Sequence, residues 1–260
     1  MEIIVFVKRV PDTEAKIRIN HETNSIIEEG LNFIISPYDE YAVEESLRLR
    51  EAKGGKVTAV SVGPEEALVV LKKCLAMGVD EALLVKDTKA ESYDGLRVAR
   101  IIARTVQKKF PQFNLLFFGK QSVGADNSQV PAMVAELLQL PQVTVVTKVE
   151  IEGERGIAHR EIEGALEKVA FSLPAVISAQ KGLNEPRYET LKGIMLAKKK
   201  EIPIISLADL ELREEEVQPL LELRKLESPP PRQGGRVIKD EPQEAARKLV
   251  EYLHNEAKII

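Results

Sequence analysis

Asn114-Leu115-Leu116-Phe117-Phe118-Gly119-Lys120-Gln121-Ser122-Val123-Gly124-Ala125-Asp126-Asn127-Ser128-Gln129-Val130-Pro131 reads as a buried strand, a polar loop with glycines, and the opening of a helix. The helix would carry its apolar face on Val130, Met133, Val134 and Leu137. Asp126, Asn127 or Ser128 can cap it, and Pro131 is tolerated in a first turn, where a missing N–H costs little. A loop at the carboxyl end of a strand is where open α/β sheets bind ligands. Free N–H groups at a helix start, with glycines allowing close approach, suit a phosphate. The plainer reading, an ordinary capped helix after a loop, stays open on these residues alone.

The same alternation extends outward on both sides. Apolar runs at residues 3–7, 57–62 and 82–85 read as strands, and helical patterns fill residues 40–53, 65–77 and 96–109 between them. Pro64 with Glu65 and Glu66 suits a helix start, Gly78 a helix stop, and Gly54-Gly55 another. Continuous apolar strands separated by helices predict a mostly parallel sheet covered on both faces. After Pro141 the texture changes. Residues 143–152, 156–163 and 166–173 read as strands joined by turns at Gly153 and Gly164, and residues 175–179 as a further buried strand. They predict antiparallel additions at the sheet edge.

From Ile204 the chain turns polar and then proline-rich through Ser228-Pro229-Pro230-Pro231-Arg232, ending in a helix over residues 241–255. That division predicts an α/β domain over residues 1–203 and a C-terminal arm over 204–260 with no core of its own. Apolar residues along it, Leu220, Leu221 and Leu249, favour packing on another subunit over a mobile tail.

The 260 residues carry 37 basic and 41 acidic side chains, a net charge of −4, which gives no electrostatic footprint for nucleic acid. The single cysteine, Cys74, sits between Leu71 and Leu75 and reads as a core thiol. His21, His159 and His254 share no metal-ligand spacing. The phosphate-cleaving P-loop, the Gly-rich dinucleotide fingerprint, the zinc-protease helix and the serine elbow are missing. No apolar run approaches the roughly 20 residues that span a bilayer. A cytoplasmic protein that is not an enzyme on its own is the expectation.

Three further segments stand out. Ser36-Pro37-Tyr38-Asp39-Glu40-Tyr41-Ala42 opens a helix, with Tyr38 either a lid on the local core or a plane for a ring ligand. In His159-Arg160-Glu161-Ile162-Glu163-Gly164 strand alternation sets Arg160 and Ile162 opposite Glu161 and Glu163, by default on a solvated hairpin. Leu183-Asn184-Glu185-Pro186-Arg187-Tyr188-Glu189-Thr190-Leu191, followed by Lys198-Lys199-Lys200, reads as a displayed docking element, an apolar anchor with a charged rim.

Taken with Val7-Lys8-Arg9-Val10-Pro11-Asp12, Ser61-Val62-Gly63-Pro64 and Ala76-Met77-Gly78-Val79-Asp80, these segments resemble the electron transfer flavoprotein (ETF) beta subunits in order and spacing over nearly the full chain. The resemblance implies a Rossmann-like fold and a heterodimer with an alpha subunit that holds most of the FAD. It also implies a structural AMP contacted by Phe6, Ser36, Pro37, Tyr38, Asp39, Val62 and the run Gly119, Lys120, Gln121, Ser122, Val123, Gly124, Ala125, Asp126, Asn127, Ser128, Gln129 and Val130. Tyr38 would approach the flavin.

Docking of an acyl-CoA dehydrogenase or a related donor would fall to Arg187, Tyr188, Leu191, Ile194, Met195 and Lys198, with Leu191 the anchor. Glu161 would steady the mobile part of the alpha subunit, and electrons would pass on to an ETF-quinone oxidoreductase. The chain departs from the family's usual spelling at Ser36 for asparagine, Pro131 for glycine and Glu163-Gly164-Ala165 for Asp-Gly-Gly, and it has Gly124-Ala125 before a single Asp126. Two alternatives remain: an electron-bifurcating member with a second FAD in place of AMP, and an adenine-nucleotide-binding α/β protein that works without a flavin partner.

Overall fold

A computed structural model describes residues 1–89, 94–230 and 234–260. Pro231 and Arg232 of the proline run lie outside the described residues. The first half of the chain forms β1 (Glu2–Phe6), β2 (Arg9–Pro11), β3 (Ile19–Asn20), β4 (Ser25–Ile26), β5 (Phe33–Ile35), α1 (Pro37–Lys53), β6 (Lys56–Gly63), α2 (Leu68–Met77), β7 (Glu81–Lys86), α3 (Gly95–Lys109) and β8 (Leu115–Gly119). The second half forms α4 (Val130–Leu138), β9 (Gln142–Glu152), β10 (Arg155–Ile162), β11 (Ala165–Ser172), β12 (Ala175–Ala179), α5 (Leu191–Lys199), β13 (Ile204–Ile205) and α6 (Pro242–Asn255).

Among the described residues, nine strands form one sheet in the order β11-β10-β9-β12-β8-β1-β6-β7-β13. Its pairings from β9 through β13 are parallel, and β10 and β11 join β9 antiparallel at one edge. Both expectations for the sheet hold. The central strands are apolar on both sides because both sides are covered. Ile3, Val5, Leu115 and Phe117 face α1 and α2, whereas Ile4, Phe6, Leu116 and Phe118 face α3 and α4. The small pairs β2–β5 and β3–β4 stand apart from this sheet.

Helix boundaries follow local chemistry. The helix expected over 65–77 starts with a single 3-10 turn, Glu65–Ala67, before α2, and α2 stops at Gly78, whose φ of 116° is open to glycine. Pro131 falls in the first turn of α4 as expected, but the residue before the helix is Gln129 and no side chain caps it. Cys74 is buried on α2, and burial pushes its thiol well above the ordinary range.

The stretch after 204 departs from expectation. Ile204–Ile205 pairs with β7, and Leu210, Leu212 and Val217 bury in the same core as α3 and α4. A buried ionic knot fixes the segment. The fully buried guanidinium of Arg97 donates to Asp87 at 2.7 and 2.9 Å, to Glu214 at 3.0 Å and to the Val217 carbonyl at 2.7 Å. The compact unit therefore runs over Met1–Lys225, past the division expected at residue 203, because these contacts return the chain to the sheet. The second unit, Leu226–Ile260, contains α6, with Arg236 over the Tyr252 ring and paired with Glu256 at 2.8 Å. Leu249 and Val250 of α6 are exposed.

Candidate functional site

Adjacent strands β1 and β8 send their connections to opposite faces of the sheet: the chain after β1 leads to α1, and the chain after β8 to α4. Such a reversal opens a crevice at the carboxyl ends of the strands. A cleft lies there. Its apolar wall includes Phe6 and Phe118, whose rings stack at 4.7 Å and 12°, together with Val60 and Val62. Its polar wall is the loop after β8.

The loop is tightly wound, with Gly124, Asp126 and Ser128 all at positive φ. Asp126 and Ser128, expected as caps, brace the loop instead: Gln121 Nε2 donates to Asp126 Oδ1 at 2.7 Å, and Ser128 Oγ donates to Gln121 Oε1 at 2.7 Å. Among the described residues, the backbone N–H groups of Asn127, Ser128 and Gln129 meet no acceptor. Unpaired donors at the start of α4 give that end of the cleft affinity for an anion. Beside them, the Lys120 ammonium stands 4.9 Å over the Tyr38 ring.

Asp39 closes the crevice from behind. Its Oδ2 accepts from Lys8 N at 2.8 Å and its Oδ1 from Gly119 N at 3.0 Å, so one buried carboxyl ties the ends of β1 and β8. Gly119 admits this approach because it has no Cβ, which would overlap Asp39 and the Tyr38 backbone.

Of the sequence-predicted residues, Phe6, Asp39, Val62, Gly119, Lys120, Gln121, Ser122, Ala125, Asn127, Gln129 and Val130 line the cleft. Ser36, Pro37, Tyr38, Val123, Gly124, Asp126 and Ser128 do not line it; Ser36 is fully buried with an unpaired Oγ. The start of α3, Asp94, Gly95 and Val98, lines the cleft unforeseen. The Asp94-Gly95 pair was the available signal, since Asp94 caps α3 by accepting from Leu96 N at 2.9 Å.

The segment expected from the sequence to dock a partner lies elsewhere in this unit. Thr190 caps α5 by accepting from Gly193 N at 2.9 Å, and Tyr188, Leu191 and Met195 stand out from the surface at 94%, 84% and 65% exposure. Lys198 is exposed as well. Two expected docking residues turn inward. Ile194 packs against the core beneath α5. Arg187 clamps the segment to α1, donating to Glu44 at 2.7 and 3.2 Å and to Glu51 at 2.6 and 3.1 Å. Arg48 donates to the same Glu44 at 2.7 Å, and Asn184 Nδ2 donates to Glu45 at 2.9 Å and to the Tyr41 carbonyl at 3.0 Å.

Burial works against the charge on Glu44, but the Arg187 and Arg48 guanidiniums outweigh it and hold its carboxyl below the usual range. Burial pushes the Glu45 carboxyl up, against the lowering pull of the Asn184 amide and of the nearby Arg48 guanidinium. Glu161 is exposed on β10, opposite Leu166 of β11. Arg160 beside it pairs with Glu167 at 2.5 Å. No group of His, Cys, Asp or Glu that would hold a metal ion occurs among the described residues, and none of their helices is long and apolar enough to cross a membrane.

Residues 23–210 match the electron transfer flavoprotein domain family. The chain is 41% identical over its whole length to the electron transfer flavoprotein subunit beta of Bacillus subtilis, also over that protein's whole length. It is 39% identical to the subunit of the same name from Thermoanaerobacterium thermosaccharolyticum, covering 98% of each. With the Mus musculus subunit it shares 39% identity over 90% of this chain and 91% of that one. A switch-point cleft, an exposed α5 and these similarities along the length converge: this chain belongs to the electron transfer flavoprotein beta-subunit family.

Proposed function

We propose that this chain is the nucleotide-holding, dehydrogenase-docking half of a heterodimeric electron carrier, partnered by an alpha subunit. The observation that carries the reading is the cleft at the β1/β8 switch point, which combines a wall holding the stacked Phe6–Phe118 pair with unpaired amide donors at the start of α4. That pairing fits a purine ring at one end and a phosphate at the other, which is the chemistry of AMP. The residues that would hold it are Phe6, Val62, Gly119 through Ser122, Ala125, Asn127, Gln129 and Val130. The Tyr38 ring with Lys120 over it would offer a wall to the FAD held mainly by the alpha subunit. The flavin supplies the electron-accepting chemistry when bound. The chain itself binds, orients and presents surfaces, and in this reading it is a carrier subunit rather than an enzyme.

The exposed row Leu191 and Met195, with Tyr188 before it, supports docking of an acyl-CoA dehydrogenase or a related flavin dehydrogenase. A small anchor suits a short-lived complex, as an electron carrier that then meets a quinone reductase requires. Exposed Leu220 and Leu221, and separately Leu249 and Val250, support burial of the C-terminal region against the alpha subunit. Acid extraction and chromatography of the co-purified heterodimer test the reading: one FAD and one AMP are expected. Two FAD would make the complex the bifurcating kind, and a colourless monomer with no nucleotide would refute the proposal.

A further inference from the structure

Beside the exposed row of α5 lies a groove walled by β5, α2 and α5. Its construction starts at Gly193, where α5 rests on the Ala76 carbonyl so closely that a Cβ would overlap it. From the far end of α5, Lys200 Nζ donates to the Val79 and Asp80 carbonyls at 3.4 and 2.6 Å, just past the end of α2. Both helical walls are thus fixed before any partner arrives, which lowers the ordering cost of docking.

The groove is amphipathic. Phe33 of β5, Val69 and Val70 of α2, and Ile194 and Ala197 of α5 give it an apolar floor, with Val69 51% exposed. Its lining also carries Lys72, Lys73 and Lys198 against one acid, Glu189. Lys73 is paired with Glu40 at 2.7 Å, but Lys72 and Lys198 are exposed and meet no carboxylate among the described residues. An apolar floor with a surplus of unpaired ammonium groups complements an acidic amphipathic segment. The groove is also continuous with the exposed row. At about 3.6 residues per turn, Leu191, Met195 and Lys198 fall along one side of α5, and Ile194 and Ala197 come next round the helix, descending into the groove.

We propose that this groove is the second half of the dehydrogenase-docking surface and takes an acidic amphipathic segment of the donor. An apolar side chain of that segment covers the floor beside Val69, and its carboxylates meet Lys72 and Lys198. The proposal rests on the docking reading of α5 and adds to it the chemistry of the partner: an apolar pocket for Leu191 alone does not suffice, and a donor must also offer negative charge beside it.

The test uses the heterodimer with an acyl-CoA dehydrogenase that reduces it, following kcat and the KM for the heterodimer at low and high salt. Lys72→Glu reverses an exposed charge and should raise KM about tenfold at low salt but only about twofold at high salt, with kcat and FAD content unchanged. Val69→Asp puts a carboxylate on the floor and should raise KM about tenfold at either salt concentration. Lys109→Glu, the same charge reversal on α3 across the sheet, is the control and should leave KM within about twofold. Zero-length carbodiimide coupling joins an ammonium to a carboxylate in contact with it, and should link Lys72 to the dehydrogenase.

Lys72→Glu and Val69→Asp proteins with an unaltered KM, or a Lys72→Glu effect no larger than that of Lys109→Glu, overturn the proposal. Coupling of Lys72 to the alpha subunit or to a second copy of this chain overturns it too, since another occupant then covers the groove. Should Val69→Asp not fold, Lys72→Glu, a surface change, and the coupling decide. Leu191→Ala keeps the two readings apart. If it raises KM while the groove variants do not, only the role of the groove fails; if all three leave KM unchanged, dehydrogenase docking at this face fails.

Discussion

Replacing Arg187 with alanine separates two roles for the docking segment, a partner contact and an internal clamp. The Arg187 guanidinium makes four hydrogen bonds to Glu44 and Glu51, and its main-chain N–H donates to Glu44 at 3.2 Å. The Glu44 side chain is only 3% exposed, so it loses a partner without gaining water. Removing one member of a buried pair costs about 3–5 kcal/mol when the other is left alone. Here Arg48 still holds Glu44 at 2.7 Å, and Arg187 is itself 33% exposed, so the expected cost drops to about 2 kcal/mol. The half-exposed Glu51 adds less than about 1 kcal/mol.

For a chain of this size, about 2 kcal/mol corresponds to a fall of about 4–8 °C in Tm, read by calorimetry on the heterodimer. The sign with pH also follows. Glu44 and Glu51 are both held below their ordinary 4.5, Glu44 by Arg187 and Arg48 against the opposing effect of burial, and Glu51 first by Arg187. Their stabilisation is present above pH 4.5 and is lost as pH falls, so the gap between the two proteins should shrink in acid. An unchanged Tm at pH 7, or a gap that widens on acidification, would refute the clamp.

Leu191→Ala should lower kcat/KM for electron transfer from the dehydrogenase by about thirtyfold, from the roughly 2 kcal/mol that burying a leucine contributes, with FAD content unchanged; a normal rate removes the anchor role. Gly119→Ala places a methyl group against Asp39 and the Tyr38 backbone, so about 1–3 kcal/mol of stability and most of the bound nucleotide should be lost, measured by denaturant unfolding and nucleotide extraction. Arg97→Met leaves Asp87 buried without its cation and should cost about 3–5 kcal/mol in a denaturant titration, while adding Asp87→Leu should recover much of the loss. A double variant no better than the single one would contradict that account.

The sequence alone determined the layered α/β architecture. Periodicity of two against periodicity near 3.6 is a local property, and the runs at 3–7, 57–62, 82–85 and 114–118 became the central strands β1, β6, β7 and β8 within a residue or two. It also located the loop after β8 and the exposed segment around Leu191, because glycine and proline mark such places directly; that the segment is helical from Leu191 came with the structure. Tertiary structure decided what depends on residues far apart in the chain. Asp39 reads as a first-turn acid until β1 and β8 bring Lys8 and Gly119 to it. Arg187 reads as a displayed charge until α1 offers Glu44 and Glu51, and residues 204–217 read as an arm until Arg97 captures them. A polar side chain carries no mark of its partner in its own neighbourhood, and burial makes the pairing only once the sheet has closed.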